Sequence, residues 1–452
     1  MSKSIKDIYS WLRNNTLSVC VCGFIVASFL PFRHILNYAE ACRYGWYSEL
    51  LAISLYGADL FFLLCLIILI LPIILAGSYI HLWNKERNRV IIITASLLFL
   101  FAEALRNANV LLGIYTYSRI TQLFILIICL NWILRKRDAR IWICATLVAI
   151  GLFQATLGLF QVSSGHSLGL HYLGEQTITV SMPGVAKVDL GNGNRLLRAY
   201  GTMPHPNILG GFFVLSLSAL YLLYKKTVIR RIFLIFTLFM LIFGLILTFS
   251  RSAELSFAVL VCFVLYLNRH AIGVLPIRKI LLLPITLLTL LYIFTPVGVA
   301  VWHRIVPTAN DFFISDRIIL FSNGYKVFRD NFLLGTGLGN YLNKLLKVCS
   351  PEGTGFNFWQ YDYPHSAAAE IFIETGLVGL IIFILVFYTL FGQNKLKIKE
   401  IALTLVVISP LLFLDHYLWT NQAGRVTLAL FMALIPSLIN INRTTRISES
   451  AS

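Results

Sequence analysis

Apolar residues run along this chain in long blocks, separated by short polar stretches. Twelve blocks can be marked, at about 16–34, 53–80, 90–107, 112–134, 140–162, 206–224, 231–249, 252–268, 280–301, 367–391, 400–414 and 426–441. Most are near the ~20 residues that a helix needs to cross a ~30 Å hydrocarbon core. The pattern predicts an all-α fold: a polytopic transmembrane helical bundle of about 12 spans, one integral membrane domain over 1–452. Two polar stretches are much longer than the rest, 163–205 and 302–366.

Composition agrees with this pattern. The 452 residues are 58% hydrophobic and 13% charged, too little polar surface to cover a water-soluble core. The net charge of +17 does not indicate nucleic acid, because the basic residues flank apolar blocks instead of forming a stripe interleaved with aromatics. Their placement encodes orientation instead. Alternate loops and tails carry Lys3/Lys6/Arg13, Lys85/Arg87/Arg89, Arg135/Lys136/Arg137/Arg140, Lys225/Lys226/Arg230/Arg231, Arg269/Arg278/Lys279, Lys395/Lys397/Lys399 and Arg443/Arg446. Short basic loops stay cytoplasmic. Both termini are therefore expected in the cytoplasm, and 163–205 and 302–366 on the outer side, the larger loop between spans 9 and 10. The N-terminal basic residues ahead of an apolar run suggest an uncleaved first span, since no clear small-residue cleavage site follows.

The eight cysteines form no CxxC pair, so zinc and redox sites are not expected. Cys42 and Cys349 fall on the outer side and are read as unpaired thiols, with a bridge between them as the alternative.

The outer stretches hold the candidate chemistry. In 163–205, residues 176–200 partly alternate and contain Gly-Asn punctuation at 191–194, which predicts a β-hairpin ending near Arg198. Pro206 then suits the first turn of a helix, with His205 in a structural place beside it. In 302–366, residues 315–331 read as an amphipathic helix on the membrane surface. The Gly-rich run 335–341 lacks the strand–helix context of a nucleotide loop and reads as a turn allowing close backbone approach. Arg251 opens the eighth span directly after Ser250. A charge at such depth marks a functional site by default, although a pair with Glu254 one turn on is the plainer alternative. Arg119 lies in an apolar run and is expected to face the bundle interior. Arg106 can pair with Glu103, and Glu370 and Glu374 share a helix face. Asp415-His416-Tyr417, between the last two spans, is a further candidate for a cavity lining.

Four motifs stand on one side of the membrane in a fixed order. They are Arg198-Ala-Tyr-Gly-Thr-Met-Pro-His-Pro-Asn207, Thr248-Phe-Ser-Arg251-Ser, Asp316-Arg317 followed by Leu334-Gly-Thr-Gly-Leu-Gly-Asn340, and Pro364-His365-Ser366 followed by Glu374-Thr-Gly-Leu-Val-Gly379. This order and topology resemble the O-antigen ligase/polymerase family of membrane glycosyltransferases, over about 50–430 and most specifically between 195 and 380. The resemblance implies transfer of a glycan from undecaprenyl pyrophosphate to an acceptor hydroxyl on the outer face of the inner membrane, inverting and metal-independent, with no cofactor. Its partners would be a lipid-linked glycan donor, a glycolipid or glycan acceptor and membrane lipids. By the same resemblance Arg198 and Arg251 would bind the pyrophosphate, Arg317 would contact substrate, and His365 would be the catalytic base. The family usually shows His-Asn where this chain has His365-Ser366. A polysaccharide polymerase or a protein O-oligosaccharyltransferase differs from a ligase only in the acceptor. A solute transporter is the alternative of another class, but no internal repeat of the transporter kind is present in the sequence.

Overall fold

The computed structural model describes residues 3–42, 48–75, 79–190, 194–227, 230–268, 312–348, 362–391 and 395–450. The ninth expected span, 280–301, and Cys349 lie outside them. The chain is mostly helical. In order come α1 (Lys3–Phe29), α2 (Gly57–Leu75), α3 (Tyr79–Leu105), α4 (Val110–Ile133), α5 (Arg137–Ser164), α6 (Pro206–Lys226), α7 (Arg231–Leu247), α8 (Arg251–Leu267), α9 (Phe312–Arg329), α10 (Tyr341–Val348), α11 (Ala367–Phe391), α12 (Lys395–Leu414) and α13 (Gln422–Ser450). Two short antiparallel hairpins interrupt them. β1 (Arg33–Ile35) pairs with β2 (Ser54–Tyr56), and β3 (Lys187–Asp189) pairs with β4 (Arg195–Leu197), placing Lys187 opposite Leu197.

Among the described residues, five helices are long and apolar enough to cross a membrane: Val110–Ile133, Arg137–Ser164, Pro206–Lys225, Ala367–Thr389 and Gln422–Ile439. Shorter apolar helices include Asn15–Phe29, Gly57–Ile70, Val90–Leu105, Arg231–Leu247 and Glu400–Leu414. Burial separates inner helices from outer ones. The apolar window of α6 is 89% buried and that of α13 83%, against 39% for α11. α6 packs against α5, α7, α8 and α13, and is the axis of the bundle. Its start follows from local chemistry. Pro206 occupies the first turn, where its missing N–H costs nothing, and His205 Nδ1 accepts from the Asn207 N–H at 3.2 Å.

Arg119 of α4 does face inward, and its partner is Asp59 of α2. The ion pair is joined by Gln122 Nε2, 3.2 Å from Asp59, and by a donation from Arg119 to the Ser54 carbonyl at 2.8 Å. A buried guanidinium requires such compensation.

α11 is broken at Gly376, whose φ of 64° leaves the helical region. A break inside a membrane helix frees backbone groups that lipid cannot satisfy. Here the Gly-rich run satisfies them. Thr336 and Gly337 donate to the carbonyls of Ile373 and Glu374 at 2.9 and 3.0 Å, while Leu377 and Val378 donate to those of Phe332 and Leu333 at 3.0 and 3.1 Å. Gly335, Gly337 and Gly339 all have positive φ, and a Cβ on Gly335 or Gly376 would strike the opposing backbone. The other side of the loop is held by the end of α3: Arg106 donates to the carbonyls of Leu334 and Gly335, and Asn107 to that of Leu338. The Glu103–Arg106 pair also forms.

Gly376→Ala should therefore prise the loop from the helix. A loss of about 2 kcal/mol is expected, read as a lower thermal midpoint of the purified protein. Gly335→Ala should do the same, and Gly184→Ala, where a Cβ meets open space, should cost less.

Candidate active site

Five segment ends converge at one end of the bundle: the residue after β4, the starts of α6 and α8, the residues before α11, and the link from α12 to a short helix at Tyr417–Thr420. Arg198 follows β4 directly and is 3% exposed, so it is not a solvated hairpin charge. Its Nε donates to the Thr248 carbonyl at 2.7 Å and its Nη2 to Asn207 Oδ1 at 2.5 Å. The other end of the Asn207 amide donates to Asp415 Oδ2 at 2.5 Å. Asp415 Oδ1 accepts from the His416 N–H at 2.9 Å and faces His365 Nδ1 at 4.0 Å. That last distance is too long for a hydrogen bond, so the attraction between the two is electrostatic.

The structure thus links Arg198 to His365 through Asn207 and Asp415. Arg317, on α9, is half-buried and feels the charges of both Asp415 and Arg251. Arg251 sits exposed at the first position of α8. All four expected site residues therefore lie at one end of the bundle, with Asp415 among them.

The electrostatics follow from burial and neighbours. Burial alone would raise the Asp415 carboxyl, but the facing His365, with His416 and His205 behind it, holds it well below the usual carboxylate range. His205 is pushed down to about 3, first by burial and then by the Arg198 charge, against the pull of Asp415. Burial also lowers His416, opposed by Asp362 and Asp415. At neutral pH the cluster therefore holds one anionic carboxylate flanked by two neutral imidazoles.

His365, Asp415 and His416 each place one ligand atom within 4.8 Å of the others. Asp415 accepts from Asn207 and from the His416 N–H. His416 Nδ1 lies 2.9 Å from Thr420 Oγ1. Ser366, the departure from the usual His-Asn, caps α11: its Oγ accepts from the Ala369 N–H at 3.2 Å, a duty serine and asparagine share.

Residues 235–384 match the family described as O-Antigen ligase. The chain is O-antigen ligase-like. Arg251, Arg317 and His365 lie inside the matched segment, whereas Arg198 and Asp415 lie outside it. No curated protein matches the chain. The matched segment is similar to O-antigen ligases, and the apolar helices suit an integral membrane protein.

The low pKa of His205 makes stability depend on pH. The unfolded chain binds a proton at its ordinary value of 6.5, and the folded chain only near 3. This contribution is complete above the unfolded value and is lost as pH falls toward the folded one. His205→Asn keeps a capping acceptor without the titration. Between about pH 7 and about pH 5 the wild type should lose about 2 kcal/mol more than the variant, read from paired thermal midpoints.

Proposed function

We propose that this O-antigen ligase-like protein transfers a glycan from undecaprenyl pyrophosphate to an acceptor hydroxyl at the outer face of the inner membrane, with inversion at the anomeric carbon. The observation that carries the reading is the buried Asp415 carboxylate, which faces His365 Nδ1 and is tied through Asn207 to Arg198.

A carboxylate facing Nδ1 favours the tautomer with its proton on that nitrogen and leaves Nε2 basic. The acceptor O–H gives its proton to Nε2 as its oxygen forms a bond to the anomeric carbon. The bond from that carbon to the diphosphate oxygen breaks in the same step, and its electron pair leaves on the diphosphate. The imidazolium is stabilised by Asp415, which stays ionised. The departing diphosphate gains negative charge, and preorganised positive charge is the largest help a protein can give it. Arg198, Arg251 and Arg317 supply it. Guanidinium groups stay protonated and bind phosphate in bidentate fashion, so the route needs no ion. Ligase, polymerase and protein O-oligosaccharyltransferase share this donor half and differ in the acceptor.

The test is an assay of purified protein with an undecaprenyl-pyrophosphate glycan and candidate acceptors. His365→Ala should lower kcat about 10²–10⁴-fold, as expected for loss of a general base. Arg251→Ala and Arg198→Ala should each cost about 10²–10³-fold, as for loss of a charge-stabilising donor. Undiminished transfer in the His365 and Arg251 variants would overturn the assignment.

A further inference from the structure

Two cavities share Tyr56 as a wall. The larger is an open cleft of about 560 Å³ beside β1, β2 and the turn at His171–Glu175. The smaller, about 50 Å³, lies deeper, between α4, α11 and the helix Tyr417–Thr420. Tyr56 lines both, and the deep one is walled by Tyr115, Arg119, Tyr363, Glu370 and Arg425.

The deep cavity is not simply a packing gap. Glu370 Oε2, Arg119 Nε and Arg425 Nε have no hydrogen-bond partner among the described residues. Their side chains belong to residues only 1%, 6% and 6% exposed, respectively. Unmet buried donors and acceptors of this kind are costly and point to an occupant. Its chemistry is restricted. The occupant must accept from a guanidinium N–H and also pair with the Glu370 carboxyl. A neutral hydroxyl satisfies both, since its proton donates to the carboxylate and its oxygen accepts from a guanidinium N–H. A cavity of about 50 Å³ admits a few water-sized groups, so it would take one hydroxyl-bearing arm of a sugar and leave the rest to the adjoining cleft.

Its place fits the acceptor. The Tyr363 ring, in its wall, stacks on His416 at 6.1 Å, and His416 lies 5.4 Å from His365. Arg198 reaches the same cluster by a separate route, through Asn207 and the other oxygen of Asp415. The diphosphate-binding arginines and this carboxylate-bearing cavity thus adjoin the acid–base cluster independently.

We propose that the deep cavity, with the cleft across Tyr56, is the acceptor-saccharide subsite, in which Glu370 and Arg425 bind a hydroxyl of a neutral sugar and set acceptor specificity. This inference rests on the glycosyl-transfer reading above, and its test needs no turnover. Methyl glycosides of glucose, galactose, rhamnose, N-acetylglucosamine and a heptose would be offered singly to the full-length protein in nanodiscs. Binding would be read by saturation-transfer NMR, with inorganic pyrophosphate binding measured in parallel. At least one glycoside should bind the wild type. Glu370→Gln should weaken it about tenfold and Glu370→Leu should abolish it, as for loss of a buried hydrogen-bonding partner, with pyrophosphate affinity unchanged in both. Unchanged pyrophosphate binding also reports that the variants are folded, and Tyr56→Trp, which adds bulk to the wall of both cavities, provides a second loss-of-binding variant. Absence of binding by every glycoside, or equal binding by the wild type and the Glu370 variants, would overturn the subsite. Glycoside binding without cleavage of the lipid-linked donor would instead sink the transferase reading and leave the subsite standing.

Discussion

The buried carboxylate of Asp415 is the interaction on which this end of the bundle depends. An ionised carboxylate away from water is several kcal/mol uphill unless donors surround it. Asp415 has the Asn207 amide, the His416 N–H and the facing His365 imidazole. Its own carbonyl accepts from the Ala367 N–H at 2.8 Å, at the first residue of α11. The starts of α6 and α11 and the end of α12 are therefore fixed relative to one another by one residue. The histidine is placed by the same contacts that allow the acid to remain charged.

A second constraint acts through backbone alone. The break in α11 would be unstable in lipid, and the Gly-rich loop could not hold its left-handed conformations unsupported. Each supplies the partners that the other lacks. The join also fixes Glu374, whose carboxylate accepts from the Gly339 N–H at 2.9 Å, the Tyr363 hydroxyl at 2.9 Å and the Trp419 indole at 3.2 Å. Tyr363 precedes His365 by two residues, so the loop, the kinked helix and the histidine segment behave as one unit.

Much of this was legible in the sequence, for a physical reason. Long apolar blocks and the turn glycines are local signals, and so is the proline at the start of α6. The Glu103–Arg106 pair lies within one helical turn. What stayed hidden depends on residues far apart in the chain. Nothing near Arg119 announces Asp59, sixty residues earlier, because the pairing is made by packing α4 against the turn after β2. Asp415 could be marked as a candidate for a cavity lining, but not its partners, since Asn207 and His365 belong to other helices. The break at Gly376 was also missed, because one glycine in an apolar run is compatible with an unbroken helix.

Asn207 explains how opposite charges coexist here without cancelling. Were Arg198 in direct contact with Asp415, the two would form a closed ion pair, and the arginine would be poorer at attracting an anion. The amide separates them. Its oxygen accepts from Arg198 and its nitrogen donates to Asp415, which fixes its orientation and satisfies both neighbours with a neutral group. Nε of Arg198 likewise donates to a carbonyl, that of Thr248, instead of a carboxylate. Neutral donors surround Glu374 in the same manner. Charges satisfied by neutral partners keep their long-range field while losing little to desolvation. A positive field and a negative one can then be held within a few residues of each other, as the proposed glycosyl transfer would use.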